Sequence, residues 1–236
     1  MVKYKEIVSM VLDLLKATND DSELTEEHII HLASRCRSFL LKQRYYTDLK
    51  KSIPDSNYQT ICVNLTKTEK IEGVPCIGYY LCSSEAIPTL MTFGNTKVFA
   101  SDNYFNSDIT FVSRNRFKYI DGNKWNKHII YATTGSDNKM YLYSDNPQFM
   151  NIKNISIYGI FENAESSSLL ECKNHDVCDI MDMDFPLEDS LISTLIDLVI
   201  QRAAPSITAP EDKVNNANDD LSGISKQNPE KRIQTS

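Results

Sequence analysis

The sequence predicts an α+β fold: a small helical bundle, made of an N-terminal αα-hairpin and a C-terminal helix, with an inserted antiparallel β domain and an extended C-terminal tail. Apolar residues recur at helical spacing near both ends of the 236-residue chain. Between them lie short segments rich in β-branched and aromatic residues, and a polar run closes the chain. The predicted boundaries are 1–52 for the hairpin, 53–165 for the β domain, 166–204 for the loop and helix that complete the bundle, and 205–236 for the tail.

The first predicted helix carries a single apolar stripe. A charged start and an apolar middle give this segment a superficial likeness to a signal peptide. However, Glu6 and Asp13 interrupt the apolar part, and no small-residue cleavage site follows. We therefore interpret the segment as a helix of the mature protein. Its stripe consists of Tyr4, Ile7, Val8, Val11, Leu14 and Leu15.

The second predicted helix begins after the polar run at 19–22. Thr25 is its predicted N-cap, and Glu26 and Glu27 fall in the first turn, where the helix dipole favours negative charge. Two short helices cannot bury both of their stripes alone, so we expect the hairpin to need another helix or another subunit. The second stripe consists of Ile29, Leu32, Ala33, Cys36, Phe39 and Leu40.

The middle zone predicts strands. Turn residues separate its segments, most clearly Gly135-Ser136-Asp137-Asn138 between two good strands. The zone is typical of an antiparallel sheet, a sandwich or a small barrel. The predicted strands are 60–65, 79–83, 89–93, 97–101, 108–113, 116–120, 128–134, 139–144 and 155–161.

Helical spacing returns in the third zone. We expect this helix to begin near Pro186, a residue suited to a first turn, and to end at Pro205. Beyond it the chain is polar and poor in aromatic residues, so the tail is either disordered or folded against a partner. The stripe of this helix is Leu187, Leu191, Ile192, Leu195, Ile196, Leu198 and Val199.

Charge and cysteine content exclude several classes of protein. The formal net charge of −7 argues against a nucleic-acid clamp or a membrane-surface binder. No segment approaches the run of about 20 apolar residues that spans a membrane. Six cysteines are too few for a disulfide scaffold of this length, so reduced thiols in a cytosolic chain are expected.

One local cluster has soft metal ligands. Cys172, His175 and Cys178 could bind zinc, but a structural zinc site normally needs four ligands. Cys76 or Cys82 would have to supply the fourth from a distant part of the chain. The spacing therefore favours a loop with reduced cysteines, and no metal is predicted.

Other polar groups also have ordinary structural interpretations. His28 and His31 share a face of the second helix, yet no H-E-x-x-H motif accompanies them, which favours surface or interface histidines. No phosphate-binding or hydrolase motif is present, so neither an enzyme nor a cofactor is predicted, although a Cys–His hydrolase remains open. An acidic run before the last helix could hold a cation, but it suits the helix dipole equally well: Asp179, Asp182, Asp184, Glu188 and Asp189.

The second half of the second helix is strongly basic. Three interpretations fit it: a solvated helical face, a contact with an acidic surface on a neighbouring subunit or another protein ring, and, least favoured by the acidic total, a phosphate contact. The basic residues are Arg35, Arg37, Lys42 and Arg44, continuing into Lys50 and Lys51.

A series of motifs extends along nearly the whole chain. They begin with D-D-S-x-x-T-E-E-H-I-I and R-x-R-x-x-L-L-K-Q-R-Y, and continue through Ser56–Cys62, Ser83–Pro88, Ile130–Leu142, Asn146–Phe149 and Gly159–Ala164, then F-P-L-E-D and P-E-D-K-x-N-N-A-x-D-D-L. In this order they resemble the head-to-tail adaptor proteins of short-tailed phages. The likeness is greatest to the crAss-like phages of gut Bacteroidales.

That resemblance implies a structural virion protein at the portal–tail vertex, assembled in the host cytoplasm. About a dozen copies would form a ring between the portal protein and the next tail ring protein, and genome DNA would pass through without specific binding. It implies no membrane contact and no catalysis. A lower tail ring or baseplate component, or a cell-wall hydrolase used in entry, are the alternatives. The expected interface residues are Arg35, Arg37, Lys42 and Arg44, with Glu211, Asp212, Asn215, Asn216, Asp219 and Asp220 in the tail that would reach along the portal or a neighbouring copy.

Overall fold

The computed structural model describes residues 2–18, 24–46, 52–69, 80–101, 109–117, 119–120, 125, 128–172 and 179–207. Within them the chain has a mixed α/β fold, as the sequence predicts, with five α-helices and a seven-stranded sheet. The helices are α1 (Tyr4–Thr18), α2 (Glu26–Tyr45), α3 (Arg114–Phe117), α4 (Ala164–Ser168) and α5 (Ile192–Ile207). The strands are β1 (Gln59–Thr68), β2 (Tyr80–Ser83), β3 (Lys97–Ala100), β4 (Thr110–Phe111), β5 (Tyr131–Thr134), β6 (Met140–Tyr143) and β7 (Asn154–Gly159).

The sheet forms a nearly closed barrel. Its strand order is β3-β7-β1-β2-β6-β5-β4, and a bridge between Val98 and Ile109 brings its two edges together. The predicted all-antiparallel pairing is wrong at one place, because β4 pairs with β5 in parallel. Aliphatic side chains fill the interior, with Ile61 of β1 opposite Ile157 of β7 in a typical pair.

Two predicted strands are absent from the sheet. Residues 89–93 contribute only an isolated bridge, from Leu90 to Phe161. The segment predicted at 116–120 overlaps α3, which places Phe117 among Tyr80, Tyr131 and Tyr141 in a small aromatic cluster. Short aromatic segments fit a strand and a buried helical turn equally well, so periodicity alone could not distinguish the two.

The helices α1, α2 and α5 surround a second core. Of the two expected ways to cover the hairpin stripes, another helix or another subunit, the structure has the first, because α5 and the segment before it cover them within the same chain. None of the described helices is long and apolar enough to cross a membrane. The buried stripe residues include Tyr4, Ile7, Val8, Val11 and Leu15 of α1, Ile29, Ala33, Cys36 and Leu40 of α2, and Leu195, Ile196 and Val199 of α5.

The ends of two helices show where local patterns succeed and fail. Thr25 caps α2 as predicted, since its hydroxyl accepts a hydrogen bond from the His28 amide at 3.3 Å. The last helix begins at Ile192, later than predicted, because Phe185 instead hydrogen-bonds through its amide to the Val2 carbonyl, at 2.8 Å. It also continues through Pro205, whose missing amide hydrogen falls in the last turn.

A disulfide joins the barrel to the segment after α4. Cys62 and Cys172 are bonded, with their Cα atoms 4.9 Å apart, so the expectation of reduced thiols is wrong for this pair. Two backbone hydrogen bonds place them opposite each other: the Cys62 amide donates to Leu170, and the Cys172 amide donates to Thr60. Because 110 residues separate the two cysteines, no local spacing indicates the pairing.

Candidate interaction surface

The helices α1, α2 and α5 form a helical layer, and Arg37 lies at the junction between this layer and the barrel. Its guanidinium donates three hydrogen bonds to backbone carbonyls: Nε to Pro186 at 2.6 Å, Nη1 to Phe161 at 2.8 Å and Nη2 to Asn57 at 2.9 Å. The side chain is 0% exposed, and burial lowers the pKa of Arg37 to about 10. The expectation that Arg37 contacts another subunit is therefore wrong. Its donors are used inside its own chain.

The three carbonyls explain why an arginine lies there. They belong to the segments just before β1, just after β7 and just before α5, where no ladder partner satisfies them. A guanidinium offers five donors in a fixed planar fork, so one side chain can bind all three segments. Within the described residues no carboxylate pairs with Arg37, and the hydrogen bonds alone compensate for its burial.

A second buried polar group of residues continues this junction. Gln59 donates to the Ala164 carbonyl at 3.2 Å and accepts from the Ser167 hydroxyl at 2.8 Å. The hydroxyls of Tyr4 and Ser168 lie 3.2 Å apart, and burial raises the pKa of Tyr4 to about 12. The sequence does not indicate the buried roles of Gln59, Ser167 and Ser168, because polar side chains near strand ends usually indicate exposed loops.

The other three expected interface cations of α2 are exposed. Lys42 forms an ion pair with Glu162, and Arg44 lies 2.8 Å from Glu188, so both have partners in the same chain. Arg35 has no hydrogen bond or ion pair with any residue that the structure describes. The expected tail contacts, Glu211, Asp212, Asn215, Asn216, Asp219 and Asp220, lie outside the described residues, as do Lys50 and Lys51.

An apolar and basic surface lies across α2 and α5. Phe39, one turn after Arg35, is 47% exposed. The Arg202 guanidinium of α5 lies over the Phe39 ring, 5.5 Å from its centroid, at cation–π distance. We call Arg35, Phe39 and Arg202 the basic patch.

An apolar and acidic surface lies on the outer face of α1. Met10 is 43% exposed and Leu14 is 48% exposed, and they lie one turn apart. Glu6 lies one turn before Met10, and Asp13 lies beside Leu14; both carboxylates are on exposed residues. We call Glu6, Met10, Asp13 and Leu14 the acidic patch.

The zinc interpretation loses one of its ligands. A disulfide-bonded sulfur is not a thiolate, so Cys172 cannot serve as the structure has it. His175, Cys178 and Cys76 lie outside the described residues, whereas Cys82 is a free, buried thiol. Among the described residues, no group of three or more potential ligands could hold a metal ion.

The remaining candidate ligands have structural contacts. His31 Nδ1 lies 4.0 Å from a Glu165 carboxylate oxygen, and His28 is exposed. Asp179 caps a 3₁₀ turn by accepting from the Met181 amide at 3.0 Å. Asp182 pairs with Lys5 at 2.7 Å, and this contact lowers the pKa of the Asp182 carboxyl.

Comparison with known proteins gives two matches of nearly full length. A family model described as phage tail ring protein 2 matches residues 6–221. The chain is also 43% identical over 221 residues to "Ring protein 2" of Bacteroides phage crAss001, which covers 92% of this chain and 97% of that relative. The barrel and all of the helical layer except the first two residues of α1 lie inside the range that the family model matches.

Proposed function

Because the chain belongs to the phage tail ring protein 2 family, as a ring protein of a crAss-like phage, we propose that its copies form an adaptor ring joining the portal to the tail. The observation that carries this proposal is the match to a ring protein over almost the whole length of both chains. A ring in this position would act as a conduit for genome DNA. Its partners would be further copies of itself, the portal and the next tail ring.

The structure supports different roles for the helical layer and the barrel within such a ring. The helical layer presents exposed side chains that combine charge and apolar area, as protein interfaces do. The barrel has its sheet edges joined, so it offers little unpaired backbone to a neighbouring strand. In this proposal about a dozen copies form the ring. Their helical layers form its wall, and the barrels project from it.

Net charge supports passage of DNA without capture. Each copy carries a formal charge of −7, so a ring of copies is strongly acidic. Like charge disfavours binding of a polyanion. The proposed ring therefore guides DNA without reading it.

A second position in the particle is the competing candidate. The family description places its members in the tail and numbers them among ring proteins, which favours a lower tail ring as directly as a portal-proximal one. The two candidates share the ring and differ in the neighbour above it.

Cross-linking mass spectrometry on intact virions, combined with cryo-electron microscopy of the vertex, separates these positions. We expect cross-links between this chain and the portal protein. Cross-links to tail proteins alone would replace the adaptor assignment with the lower ring. Absence of the chain from the tail would overturn both.

Truncation tests the proposed role of the tail segment. Removing residues 208–236 keeps α5 complete and should leave thermal unfolding of the monomer unchanged while abolishing incorporation into particles. The matched control removes residues 222–236, which lie beyond the range that the family model matches, and should incorporate normally. If removing residues 208–236 also lowers the melting temperature of the monomer, the segment contributes to the fold, and a docking role is contradicted.

A further inference from the structure

A closed ring of identical copies imposes a condition on each subunit. Unless the contact is two-fold symmetric, each copy must present two different surfaces, and the first surface of one copy must fit the second surface of the next. The inference below rests on the proposed ring. It identifies which two surfaces meet.

We infer that the acidic patch of one copy docks on the basic patch of the adjacent copy. The charges are complementary: the acidic patch of one copy carries Glu6 and Asp13 on α1, and the basic patch of the next copy carries Arg35 on α2 and Arg202 on α5. Each patch also has an apolar centre beside its charges, with Met10 and Leu14 in one and Phe39 in the other.

The charges of both patches are available for such a contact. None of the side chains that the structure describes forms an ion pair with Asp13 or Arg35. Glu6 accepts a hydrogen bond from the Lys3 amide through Oε2 at 3.2 Å, and the residue is exposed. By contrast, Lys42 and Arg44 are engaged within their own chain by Glu162 and Glu188.

The apolar centres fit each other chemically. A methionine thioether packs favourably against an aromatic ring, and its flexible chain adapts to the surface that it meets. The Arg202 guanidinium already lies over the Phe39 ring, and this contact restricts both side chains before they meet a partner. A single apolar side chain of about this exposure is common on protein surfaces. Here Met10 and Leu14 adjoin negative charges, and Phe39 adjoins positive ones.

The positions of the patches suit a head-to-tail contact. The three helices share one core, so the exposed face of each helix points away from the other two. The acidic patch lies on the outer face of α1, and the basic patch lies where the outer faces of α2 and α5 meet. The two patches therefore lie on different sides of the helical layer and cannot meet within one copy.

Reciprocal charge reversal tests this contact in the full-length chain. We expect the wild-type protein to form rings in negative-stain images and to sediment as an oligomer. Arg35→Glu alone and Asp13→Arg alone should each abolish the rings, because both place like charges across the interface. An equal mixture of the two variants should restore rings, because every contact in an alternating ring again pairs opposite charges.

The control is Lys67→Glu, which makes the same change in charge as Arg35→Glu on an exposed residue of β1. It should assemble like the wild type. At a dilution where every protein is monomeric, all variants should keep the melting temperature of the wild-type monomer, because the altered side chains are exposed. Rings formed by both single variants would overturn this contact and leave the proposed function intact. A wild-type chain that is found in virion rings but stays monomeric in isolation would also overturn it, and would indicate that the portal or another protein occupies the patches.

Discussion

The barrel and the helical layer solve the problem of buried polar groups differently. In the barrel, neighbouring strands satisfy each other's amides and carbonyls, so its interior can be almost entirely aliphatic. At the border of the helical layer, three irregular segments expose carbonyls inside the protein. There a side chain, Arg37, supplies the missing donors.

The outer surfaces of the two regions differ in the same sense. The barrel joins its two edges through Val98 and Ile109, which leaves little unpaired backbone at its rim. The helices satisfy their backbones internally and present side chains outward, where charge and apolar area occur together. Regular backbone pairing makes the barrel self-sufficient, whereas the helical layer depends on individual side chains, both inside the chain and at its surface.

The largest expected effect comes from removing the donor at the junction. Arg37→Met leaves three buried carbonyls without a partner and should lower the free energy of unfolding by about 3 kcal/mol, after allowance for relief of the buried charge. Arg35→Met, two residues earlier on the same helix, is the control and should change it by less than about 0.5 kcal/mol. Denaturant unfolding of both variants measures the difference. Similar small changes at both positions would show that the junction does not depend on Arg37.

A smaller effect is expected from the covalent link between the barrel and the segment after α4. Reducing the Cys62–Cys172 disulfide should lower the free energy of unfolding by about 2 kcal/mol, at the lower end of the usual range for a disulfide, because the bond closes a long loop. Thermal unfolding with and without a reductant measures the loss. The Cys62→Ser/Cys172→Ser double variant should match the reduced wild type and no longer respond to reductant. A wild-type melting temperature that reductant leaves unchanged would contradict a stabilising role.

The smallest effect concerns Tyr4, which extends the buried polar junction to α1. Burial raises the pKa of the Tyr4 hydroxyl from 10.0 to about 12, so the folded state holds the proton more tightly than the unfolded state. The stability that this contributes is complete below pH 10 and is lost as the pH rises towards 12. We expect Tyr4→Phe to be less stable than the wild type at neutral pH by about 1 kcal/mol, through loss of the hydrogen bond to Ser168.

The difference between wild type and Tyr4→Phe isolates this group. Burial lowers the pKa of Arg37, which disfavours its charged form in the folded state, and this cost changes with pH in the sense opposite to the Tyr4 contribution, so the wild-type curve alone does not isolate Tyr4. Relative to Tyr4→Phe, the wild type should lose about 1 kcal/mol between pH 10 and pH 11. Parallel curves for the two proteins would show that Tyr4 titrates normally.

Much of the secondary structure could be predicted from short-range patterns. The apolar stripes predicted α1 and α2. Thr25 marked the start of α2, because its capping hydrogen bond joins residues only three positions apart. The turn at Gly135–Asn138 was also evident; in it Asn138 adopts a positive φ of 57° between β5 and β6. The order of the motifs along the chain likewise indicated the phage ring proteins, because it depends on sequence alone.

The burial of one basic residue of α2 and the exposure of another depend on distant parts of the chain. Arg35 and Arg37 are the same residue type two positions apart, and the sequence assigned both to an interface. Arg37 is buried because it faces the carbonyls of Phe161 and Pro186, which lie 124 and 149 residues away in the chain. No pattern within a helix reports on acceptors that distant.

Most of each helix stripe, the capping residue, the hairpin turn and the family can be predicted without coordinates, since each depends on neighbouring residues or on their order. The parallel β4–β5 pair, the closure of the barrel, the Cys62–Cys172 bond and the burial of Arg37 become evident only in the folded chain. Each of these joins parts of the chain whose separation in sequence says nothing about their distance in space. Hydrogen bonds and disulfides form between groups that folding brings together, and that proximity is set by how the two cores pack.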